Sequence, residues 1–182
     1  MNLKQLSKFM SLILRHHPEC INVTLDKNGW CDANALLLGI KNKHPEVTWV
    51  DIAEVIFNCP KKRYEILNGR IRAVQGHSAE VDIEYQSVTP THFLYHGTPE
   101  QNVISILTTG INKSGRRHVH LSMNESTAKN VGSRRGKPIV MTIDAEKMVK
   151  DGFKFFLSPN GVFLTDFVPP EYIIAHTVSR LD

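Results

Sequence analysis

The sequence predicts an α+β protein with a helical first half and a second half built around a sheet. Three observations support this fold class. Apolar residues recur at helical spacing across residues 2–14, which is typical of an amphipathic helix. Two β-prone runs flank Asn68-Gly69, a pair that strongly predicts a tight β-hairpin. In the second half, short apolar runs of strand length alternate with helical segments, as expected of α+β architecture.

The first half is predicted to begin with a helix, a short strand and a turn. The helix over residues 2–14 ends before Pro18, because the residue that precedes a proline disfavours helical geometry. Residues 21–25 alternate apolar and polar side chains, a pattern that predicts a short strand. The sequence Lys27-Asn28-Gly29 then predicts a turn.

Two further helices and a hairpin complete the first half. Asp32 is a suitable N-cap for a helix over residues 33–42, and Thr48 or Asp51 is suitable for a helix over 49–58. The apolar face of the latter helix is predicted to consist of Val50, Ile52, Val55, Ile56 and Phe57. Helix, strand, helix, helix and hairpin is the element order of a winged-helix domain. That fold serves nucleic-acid binding and protein contacts alike.

A change of composition divides the chain. Residues 79–92 are first acidic and then polar, and they include Pro90. We therefore predict a first domain at 1–80, a linker at 81–92 and a second domain at 93–182. The strands predicted in the second domain are 93–95, 118–121, 139–143, 161–164 and 173–174. Its predicted helical segments lie near 99–109, 124–131 and 144–149.

Composition limits the class of protein. The chain has 182 residues and a net charge of +4, which is only weak support for a polyanionic partner. No stretch approaches the ~20 apolar residues of a membrane span, and the N-terminus lacks the apolar core of a signal peptide. We therefore expect no membrane contact and a cytoplasmic location. Cys20, Cys31 and Cys59 form no CxxC pair and are interpreted as reduced structural thiols.

The end of the first helix carries the first candidate phosphate ligands. Arg15-His16-His17 closes that helix, where cations also suit the negative end of the helix macrodipole. The alternative is that Arg15 and His16 grip a phosphate, since arginine offers a planar fork of donors.

The hairpin carries a second group of basic residues. Lys61-Lys62-Arg63 opens it, either as a solvated charge run or as one wall of an anion pocket. The further candidates on or after the hairpin are Arg72, Gln75 and His77. Glu65 is the one carboxylate close by in sequence, so the group suits RNA phosphates.

Two histidine-containing segments mark the second half. His96-Gly97-Thr98 is predicted to follow a strand, where the glycine would let a ligand approach the backbone; a buried structural histidine is the alternative. His118 and His120 share one face of a predicted strand. Two imidazoles at that spacing could bind a metal, but no third ligand has suitable spacing, so a polar strand facing a cleft is preferred.

The run GSRRGKP at residues 132–138 is not a P-loop. Three residues rather than four separate its glycines, and proline rather than serine or threonine follows the lysine. The chain also lacks GxGxxG, the Rossmann dinucleotide fingerprint. We interpret the run as a basic turn before a strand.

Eight sequence blocks follow one another through nearly the whole chain: LSKFMSLILRHHPE, LDKNGW, KKRYEI, IRAVQGHS, FLYHGT, HVHLS, GKPIVMTI and NGVFLT. In this order they resemble the RNA 2′-phosphotransferase family, which includes the bacterial KptA proteins. The resemblance implies an N-terminal winged-helix lobe that binds the RNA 2′-phosphate. It also implies a C-terminal ADP-ribosyltransferase-like lobe with a central mixed or antiparallel sheet that binds NAD+, and an active site in the cleft between the lobes.

The resemblance further implies a two-step reaction that uses NAD+ as co-substrate and requires no metal. The RNA 2′-phosphate attacks C1″ of the nicotinamide ribose and expels nicotinamide. The ribose O2″ then attacks that phosphate, which yields RNA with a 2′-OH and ADP-ribose 1″,2″-cyclic phosphate. The family's best-known substrate is the splice junction of tRNA. We expect a monomer.

Residue roles follow from the same motifs. The residues implied to be catalytic are Arg15, His16, Arg63 and Arg116. The first three would hold the 2′-phosphate, and Arg116 would serve the second step, with Arg117 as the alternative because the spacing from His96 to His118 differs from that of some family members. The NAD+ site would be lined by His96, Gly97, Thr98, His120 and Ser122.

Two other interpretations stay open. An enzyme with the same second lobe could stop after the first step and cap terminal phosphates of RNA or DNA with ADP-ribose. A winged-helix protein could also bind nucleic acid without catalysis. The NGVFLT strand offers no glutamate of the kind that protein-modifying ADP-ribosyltransferases often use, and Asp166 is the nearest acid. A phosphate acceptor needs no deprotonation, so that absence fits the resemblance.

Overall fold

A computed structural model describes residues 1–178, so the last four positions of the predicted second domain lie outside the described residues. The chain forms two compact units, Met1–Glu84 and Tyr85–Asp182. Both combine helices with small antiparallel sheets, which confirms the predicted α+β class. Within the described residues, no helix is long and apolar enough to span a membrane.

The first unit consists of three helices and a small sheet. In chain order its elements are α1 (Leu3–Arg15), a 3₁₀ turn (Pro18–Ile21), β1 (Cys31–Asp32), α2 (Ala33–Lys43), α3 (Trp49–Phe57), β2 (Tyr64–Leu67) and β3 (Arg70–Ala73). The sheet has the antiparallel order β1-β3-β2. Its core joins all three helices to β3, and the fully buried side chains include Leu6, Met10, Ile13, Leu14, Leu36, Ile40, Ile52 and Ile71.

Helix caps and the hairpin turn explain why these elements begin where they do. The Asp32 carboxylate accepts from the Ala35 N–H at 2.7 Å and starts α2 as predicted. Thr48 caps α3 in a reciprocal pair with Asp51, so both predicted capping residues take part. Asn68-Gly69 has φ values of +48° and +71°, the left-handed pair that closes a tight hairpin.

The predicted strand at residues 21–25 is wrong. Pro18 opens a 3₁₀ turn that runs to Ile21, and Asn22 then adopts a left-handed conformation with φ of +57°. The Asn22 and Val23 N–H groups donate to the carbonyls of Glu19 and Pro18, so they are not available to a strand partner. The proline's local preference for turn geometry overrides the alternation of side chains that suggested a strand.

The predicted apolar face of α3 is wrong at its two ends. Ile52 and Val55 are buried and Ile56 is partly buried, but Val50 and Phe57 are 73% and 80% exposed. Because a helix turns by about 100° per residue, Val50 and Phe57 lie on the side opposite Ile52. A short helix has room for only one buried stripe.

The second unit holds most of the strands. Its elements are β4 (Gln86–Val88), β5 (Leu94–Pro99), α4 (Val103–Thr109), β6 (Ile111–Asn112), β7 (Val119–Leu121), α5 (Glu125–Gly132), β8 (Pro138–Ile143), α6 (Ala145–Lys150), β9 (Phe155–Leu157), β10 (Phe163–Thr165), β11 (Phe167–Val168) and β12 (Ile173–Val178). Each predicted strand and helical segment of this half overlaps one of them. The sequence did not predict β4, β6, β9 or β11, and β4 lies within the predicted linker, where it pairs with β9.

Two sheets of the second unit meet beside β5. One has the order β12-β8-β5 and the other β4-β9-β10-β7, while β11 and β6 form a separate pair. The Tyr95 N–H donates to the Ser122 carbonyl at 2.9 Å, and the Ser122 N–H donates to the Tyr95 carbonyl at 2.7 Å. This bridge joins β5 to the residue that follows β7, so the two histidine-containing segments of the sequence become neighbours.

Strand β5 also lies unusually close to α5. A Cβ built on Gly97 would be 1.7 Å from the Ala128 carbonyl oxygen, and one on Gly132 would be 3.0 Å from the Thr98 backbone. Gly97 therefore lets the helix backbone approach the strand. The sequence predicted that the missing side chain of Gly97 leaves room for a ligand. In the direction that a side chain would take, the backbone of α5 fills this space.

We predict that Gly97→Ala destabilises the protein by at least about 3 kcal/mol, because the new methyl group overlaps backbone that cannot rotate away. Urea unfolding followed by circular dichroism measures the effect. Gly115→Ala is the matched control: nothing lies within 4 Å of the position that its Cβ would take, so it should change the free energy of unfolding by less than about 0.5 kcal/mol. Equal stability of the two variants would contradict the close approach of β5 and α5.

Candidate functional site

The end of α1 is held by the segment that follows the hairpin. The N–H groups of Ser78 and Ala79 both donate to the Arg15 carbonyl at 3.0 Å, and His16 Nδ1 lies 2.9 Å from Ser78 Oγ. Gly76 has φ of +87°, and a Cβ there would lie 3.5 Å from Arg15 Nη1. The Arg15 guanidinium therefore lies against the Gly76 backbone, and this segment fixes both predicted phosphate ligands of the helix.

Arg63 stands at the start of the hairpin, beside the same helix. The Tyr64 hydroxyl donates to the Ser7 carbonyl at 2.7 Å and accepts from Ser11 Oγ at 2.7 Å. These bonds fix the start of β2 along the middle of α1, and Ser11 lies one helical turn before Arg15. Within the described residues, no carboxylate forms an ion pair with Arg63.

The other predicted residues of this unit have different surroundings. Arg72 Nε donates to Glu65 Oε2 at 2.8 Å, and its guanidinium stacks 4.5 Å from the centre of the Trp30 ring. His77 is 2% exposed, and its Nε2 would lie 3.4 Å from a Cβ on Gly29. Gln75 is half-buried. Their roles in substrate binding stay predictions.

Cys59 is a contact of Arg63 that the sequence did not reveal. The Arg63 Nη1 group donates to Cys59 Sγ at 3.2 Å. Burial raises the pKa of the Cys59 thiol, but the N–H groups of Arg63 and Lys61 and the Arg63 charge outweigh burial and leave that pKa lowered. Burial instead raises the pKa of Cys31 to about 12, with a smaller contribution from Asp32.

In the second unit, the predicted histidines form a chain of hydrogen bonds. His96 Nδ1 lies 3.1 Å from the His120 carbonyl oxygen, and His120 Nδ1 lies 3.0 Å from that of His118. His118 also packs edge-on against Tyr85 and Phe156, with ring centres 5.8 and 6.0 Å apart. Within the described residues, no group of three side chains is arranged to hold a metal ion.

The surroundings of His96 favour its neutral form. Burial lowers its pKa most, the bond to the His120 carbonyl partly opposes this effect, and the Arg116 charge lowers the pKa further. A carbonyl oxygen can only accept, so the proton of the neutral ring is assigned to Nδ1 and Nε2 is an acceptor. An acceptor at Nε2 suits a sugar hydroxyl.

The remaining predicted residues of this unit surround His96. Thr98 follows it in β5 and is 2% exposed, while Ser122 is half-buried and bridged to Tyr95 through the backbone. His96, Gly97 and Thr98 lie within β5, not after a strand as predicted, because the strand continues to Pro99. The backbone bridge brings Ser122 to the strand that carries His96.

Arg116 lies in the loop between β6 and β7. Arg116 is exposed at the surface, and only partial desolvation, followed by the charges of Arg134 and Arg135, lowers its pKa. Arg116 is also the arginine whose charge lowers the pKa of His96, which favours it over Arg117 for a role beside that histidine. Arg134 and Arg135 belong to the run interpreted from the sequence as a basic turn, and in that sequence only their charge marks them.

Comparison with known proteins identifies the family. The model of the RNA 2′-phosphotransferase, Tpt1 / KptA family matches residues 1–167. The chain belongs to this family. It is 46% identical to a probable RNA 2′-phosphotransferase of Hahella chejuensis, over 94% of this chain and 93% of that protein. A protein of the same name from Fusobacterium nucleatum is 47% identical, over 93% of this chain and 96% of the relative.

The burial of His96 and the nearby Arg116 charge give a pH prediction. We expect its titration, followed by NMR of the ring protons, to have a midpoint below the ordinary value of about 6.5, and Arg116→Gln to raise that midpoint. Because the pKa of His96 is higher in the unfolded chain, the unfolded chain takes up a proton on this ring first as the pH falls. The stability that neutral His96 contributes is therefore fully present above about pH 6.5 and is lost as the pH falls through the pKa of the folded protein. An unshifted midpoint in the wild type would contradict the burial and charge described for His96.

The cysteines give a second prediction. At neutral pH, iodoacetamide should modify Cys59 before Cys31, because the reactive thiolate is favoured at Cys59 and disfavoured at Cys31. Peptide mass spectrometry over time measures both rates. Arg63→Gln should slow the modification of Cys59 and leave Cys31 unchanged. A rate at Cys59 that is insensitive to this substitution would show that Arg63 does not act on the thiol.

Proposed function

We propose that this protein removes an internal 2′-phosphate from RNA, of the kind found at tRNA splice junctions, in two steps that consume NAD+. The observation that carries the proposal is the end of α1, where Arg15 and His16 are fixed by residues 76–79 beside a hairpin that begins with Arg63. A phosphate carries about −1.5 to −2 charges at neutral pH and has three strong acceptor oxygens. Fixed arginine and histidine donors suit that group.

In the proposed first step, an oxygen of the 2′-phosphate attacks C1″ of the nicotinamide ribose. The bond from C1″ to nicotinamide breaks, and nicotinamide leaves with the bonding electron pair. The phosphate is already a nucleophile, so the protein needs to position it and does not need a strong base. Arg15, His16 and Arg63 would supply that positioning.

NAD+ enters the proposal as co-substrate, and it supplies a ribose carbon with a good leaving group. The residues proposed to hold it are His96, Gly97, Thr98, His120 and Ser122. Neutral His96 supports the assignment, because an acceptor at Nε2 matches a ribose hydroxyl. Thr98 is buried and Gly97 contacts α5, so these two would contribute through the backbone.

In the proposed second step, the ribose O2″ attacks the phosphorus and the bond to the RNA O2′ breaks. The proton of the O2″ hydroxyl is passed to O2′, which becomes the 2′-OH of the product, and the phosphate closes as ADP-ribose 1″,2″-cyclic phosphate. Negative charge builds on the phosphate oxygens during the transfer. Arg116 would stabilise that charge as a fixed cation, without a metal.

The proposal includes two fold assignments and an assembly state. The first unit would be a winged-helix lobe that binds the RNA phosphate, since three helices precede a hairpin that pairs with β1. The second would be an ADP-ribosyltransferase-like lobe that binds NAD+. We propose that the enzyme acts as a monomer.

We predict that Arg15→Ala and Arg116→Ala fail at different steps. With NAD+ and an RNA that carries one internal 2′-phosphate, Arg15→Ala should lower nicotinamide release by about 100-fold or more, because the attacking phosphate is no longer held. Arg116→Ala should still release nicotinamide but accumulate ADP-ribosylated RNA, seen by gel electrophoresis. Arg117→Ala is the matched control and should not accumulate this intermediate.

The same assay separates the alternatives. Stable ADP-ribosylated RNA as the wild-type end product would favour a capping enzyme that stops after the first step. RNA binding without nicotinamide release would favour a binding module. Accumulation of the intermediate in Arg117→Ala and not in Arg116→Ala would exchange the roles of these two arginines.

A further inference from the structure

One outward face of helix α1 leads to the predicted phosphate ligand Arg15. Because a helix turns by about 100° per residue, Lys4, Lys8, Ser11 and Arg15 lie within about 60° of one another around its axis. The buried residues of the helix lie on another face: Leu6, Met10, Ile13 and Leu14. Lys4 and Lys8 are exposed, whereas Ser11 and Arg15 are partly buried. We call these four polar residues the polar stripe of α1.

The start of the hairpin adjoins the middle of the polar stripe. The Tyr64 hydroxyl, which lies 2.7 Å from Ser11 Oγ, ties β2 to this face of α1. Tyr64 directly follows the basic run Lys61–Arg63, whose two lysines are exposed. The stripe therefore ends at one candidate phosphate ligand, Arg15, and has the run that contains the other, Arg63, along its side.

The lysines of the polar stripe have no carboxylate partner. In the part of the chain that the structure describes, no carboxylate forms an ion pair with Lys4 or Lys8. Glu46 lies beside the start of α1, but it pairs with the Met1 amino group at 2.6 Å. Most other acids of the first 65 residues also have partners or cap helices: Glu19, Asp26, Asp32, Asp51 and Glu65. The charge of both lysines is therefore available to a ligand.

Helix stability does not explain these two lysines. Lys4 is the second residue of α1, where the positive end of the helix macrodipole disfavours a cation. The first turn of α1 contains no acidic residue that would offset this effect. Lys4 and Lys8 are also four residues apart, a spacing at which like charges destabilise a helix. A solvated helix face accounts for polar residues here, but a polyanionic ligand would relieve both unfavourable interactions.

The spacing along the stripe suits a nucleic-acid backbone. At about 1.5 Å per residue, the Cα atoms of Lys8 and Lys4 lie about 10 Å and about 16 Å along the helix axis from that of Arg15. Phosphates of a B-form strand follow one another at about 3.4 Å along its axis, so these distances correspond to about three and about five nucleotides. A lysine ammonium is a compact point charge that contacts backbone phosphates without reading bases.

We propose that Lys4 and Lys8 bind backbone phosphates of the RNA on one side of the 2′-phosphorylated nucleotide. This inference rests on the proposed function, because the 2′-phosphate held at Arg15 sets the position of the strand along α1. It narrows the substrate class to RNA that continues for several nucleotides beyond the 2′-phosphate, whatever its sequence. Neither lysine takes part in the chemical steps.

The test compares three double variants of the full-length protein. Lys4→Ala with Lys8→Ala removes the two charges, and Lys4→Glu with Lys8→Glu reverses them. Lys41→Ala with Lys43→Ala is the matched control, because it removes two exposed lysines from the last turn of α2. The neighbouring His44 packs against Phe9, which α1 directs at least about 100° away from Lys4 and Lys8. Thermal melting checks that each variant is folded.

Two RNAs separate the stripe from the 2′-phosphate site. The short RNA is a 2′-phosphorylated dinucleotide, and the long RNA has about five nucleotides on each side of the 2′-phosphate. Steady-state kinetics with NAD+ give kcat and the KM for each RNA. Fluorescence anisotropy of the long RNA without NAD+ measures binding over a range of salt concentrations.

We expect the double alanine variant to raise the KM for the long RNA about 3- to 20-fold at low salt, with kcat near the wild-type value. The KM for the short RNA should not change, because that RNA does not reach the lysines. The slope of log K against log salt should fall by about 1.4, since each phosphate contact of a single strand contributes about 0.7. The glutamate variant should bind the long RNA more weakly still, although glutamate suits the start of a helix. The Lys41/Lys43 control should match the wild type with both RNAs.

The outcomes also separate this inference from the proposed function. An unchanged KM and an unchanged salt slope with the long RNA would overturn the inference. So would an equal rise in the KM for both RNAs, which would place the effect at the 2′-phosphate site, or an equal loss in the Lys41/Lys43 control, which would show an effect of overall charge. Nicotinamide release by the wild type tests the proposed function. A wild type that releases none refutes that function, while the salt slope of RNA binding still decides whether the two lysines bind the backbone.

Discussion

The close approach of β5 to α5 is the constraint on which the second unit depends. Gly97 has no room for a side chain, since α5 backbone occupies its position, and Gly132 meets the Thr98 backbone from the other side. This contact fixes where α5 ends and therefore where the following 3₁₀ turn, Ser133–Arg135, begins. The bridge from Tyr95 to Ser122 ties the second histidine segment to the same strand. Strand β5 thus positions His96, the basic turn after α5 and the end of β7. Only glycine fits at position 97, because any side chain there would overlap the backbone of α5.

The arginines of the chain differ in their carboxylate partners. On the hairpin, Arg70 pairs with Asp26 and Arg72 pairs with Glu65, and both guanidinium groups lie over the Trp30 ring; the substrate-binding role of Arg72 stays a prediction. Among the described residues, Arg63 and Arg116 form no ion pair with a carboxylate. Enzymes that transfer phosphoryl groups work chiefly by positioning and by fixed charge. Cations without internal counter-charges suit this chemistry. In the proposed function they would let a chain with a modest net charge bind a strongly anionic substrate.

Local signals made most of the secondary structure predictable. Asp32 and Thr48 marked two helix starts, and Asn68-Gly69 marked the hairpin, because each acts through its own backbone. Two features escaped prediction for different reasons. The 3₁₀ turn that begins at Pro18 replaced an expected strand because the local preference of the proline overrides the alternation of side chains. The exposure of Val50 and Phe57 depends on tertiary packing, which decides the stripe of α3 that meets the core. Family motifs name Arg15 and His96 as site residues, and their roles stay predictions. The influence of Arg134 and Arg135 on Arg116 escaped prediction because the fold brings these two segments together. Cys59 lies only four residues before Arg63, and its contact depends on the turn between them.

The central claim is that the phosphate leaves RNA by transfer to the ribose of NAD+ and not by hydrolysis. Phosphorus NMR of an RNA oligonucleotide that carries one internal 2′-phosphate follows that phosphate directly when enzyme and NAD+ are added. We expect the monoester resonance to disappear and a cyclic phosphodiester resonance to replace it, only when NAD+ is present. Conversion of the monoester to inorganic phosphate, or loss of the monoester resonance without NAD+, would contradict transfer to the ribose.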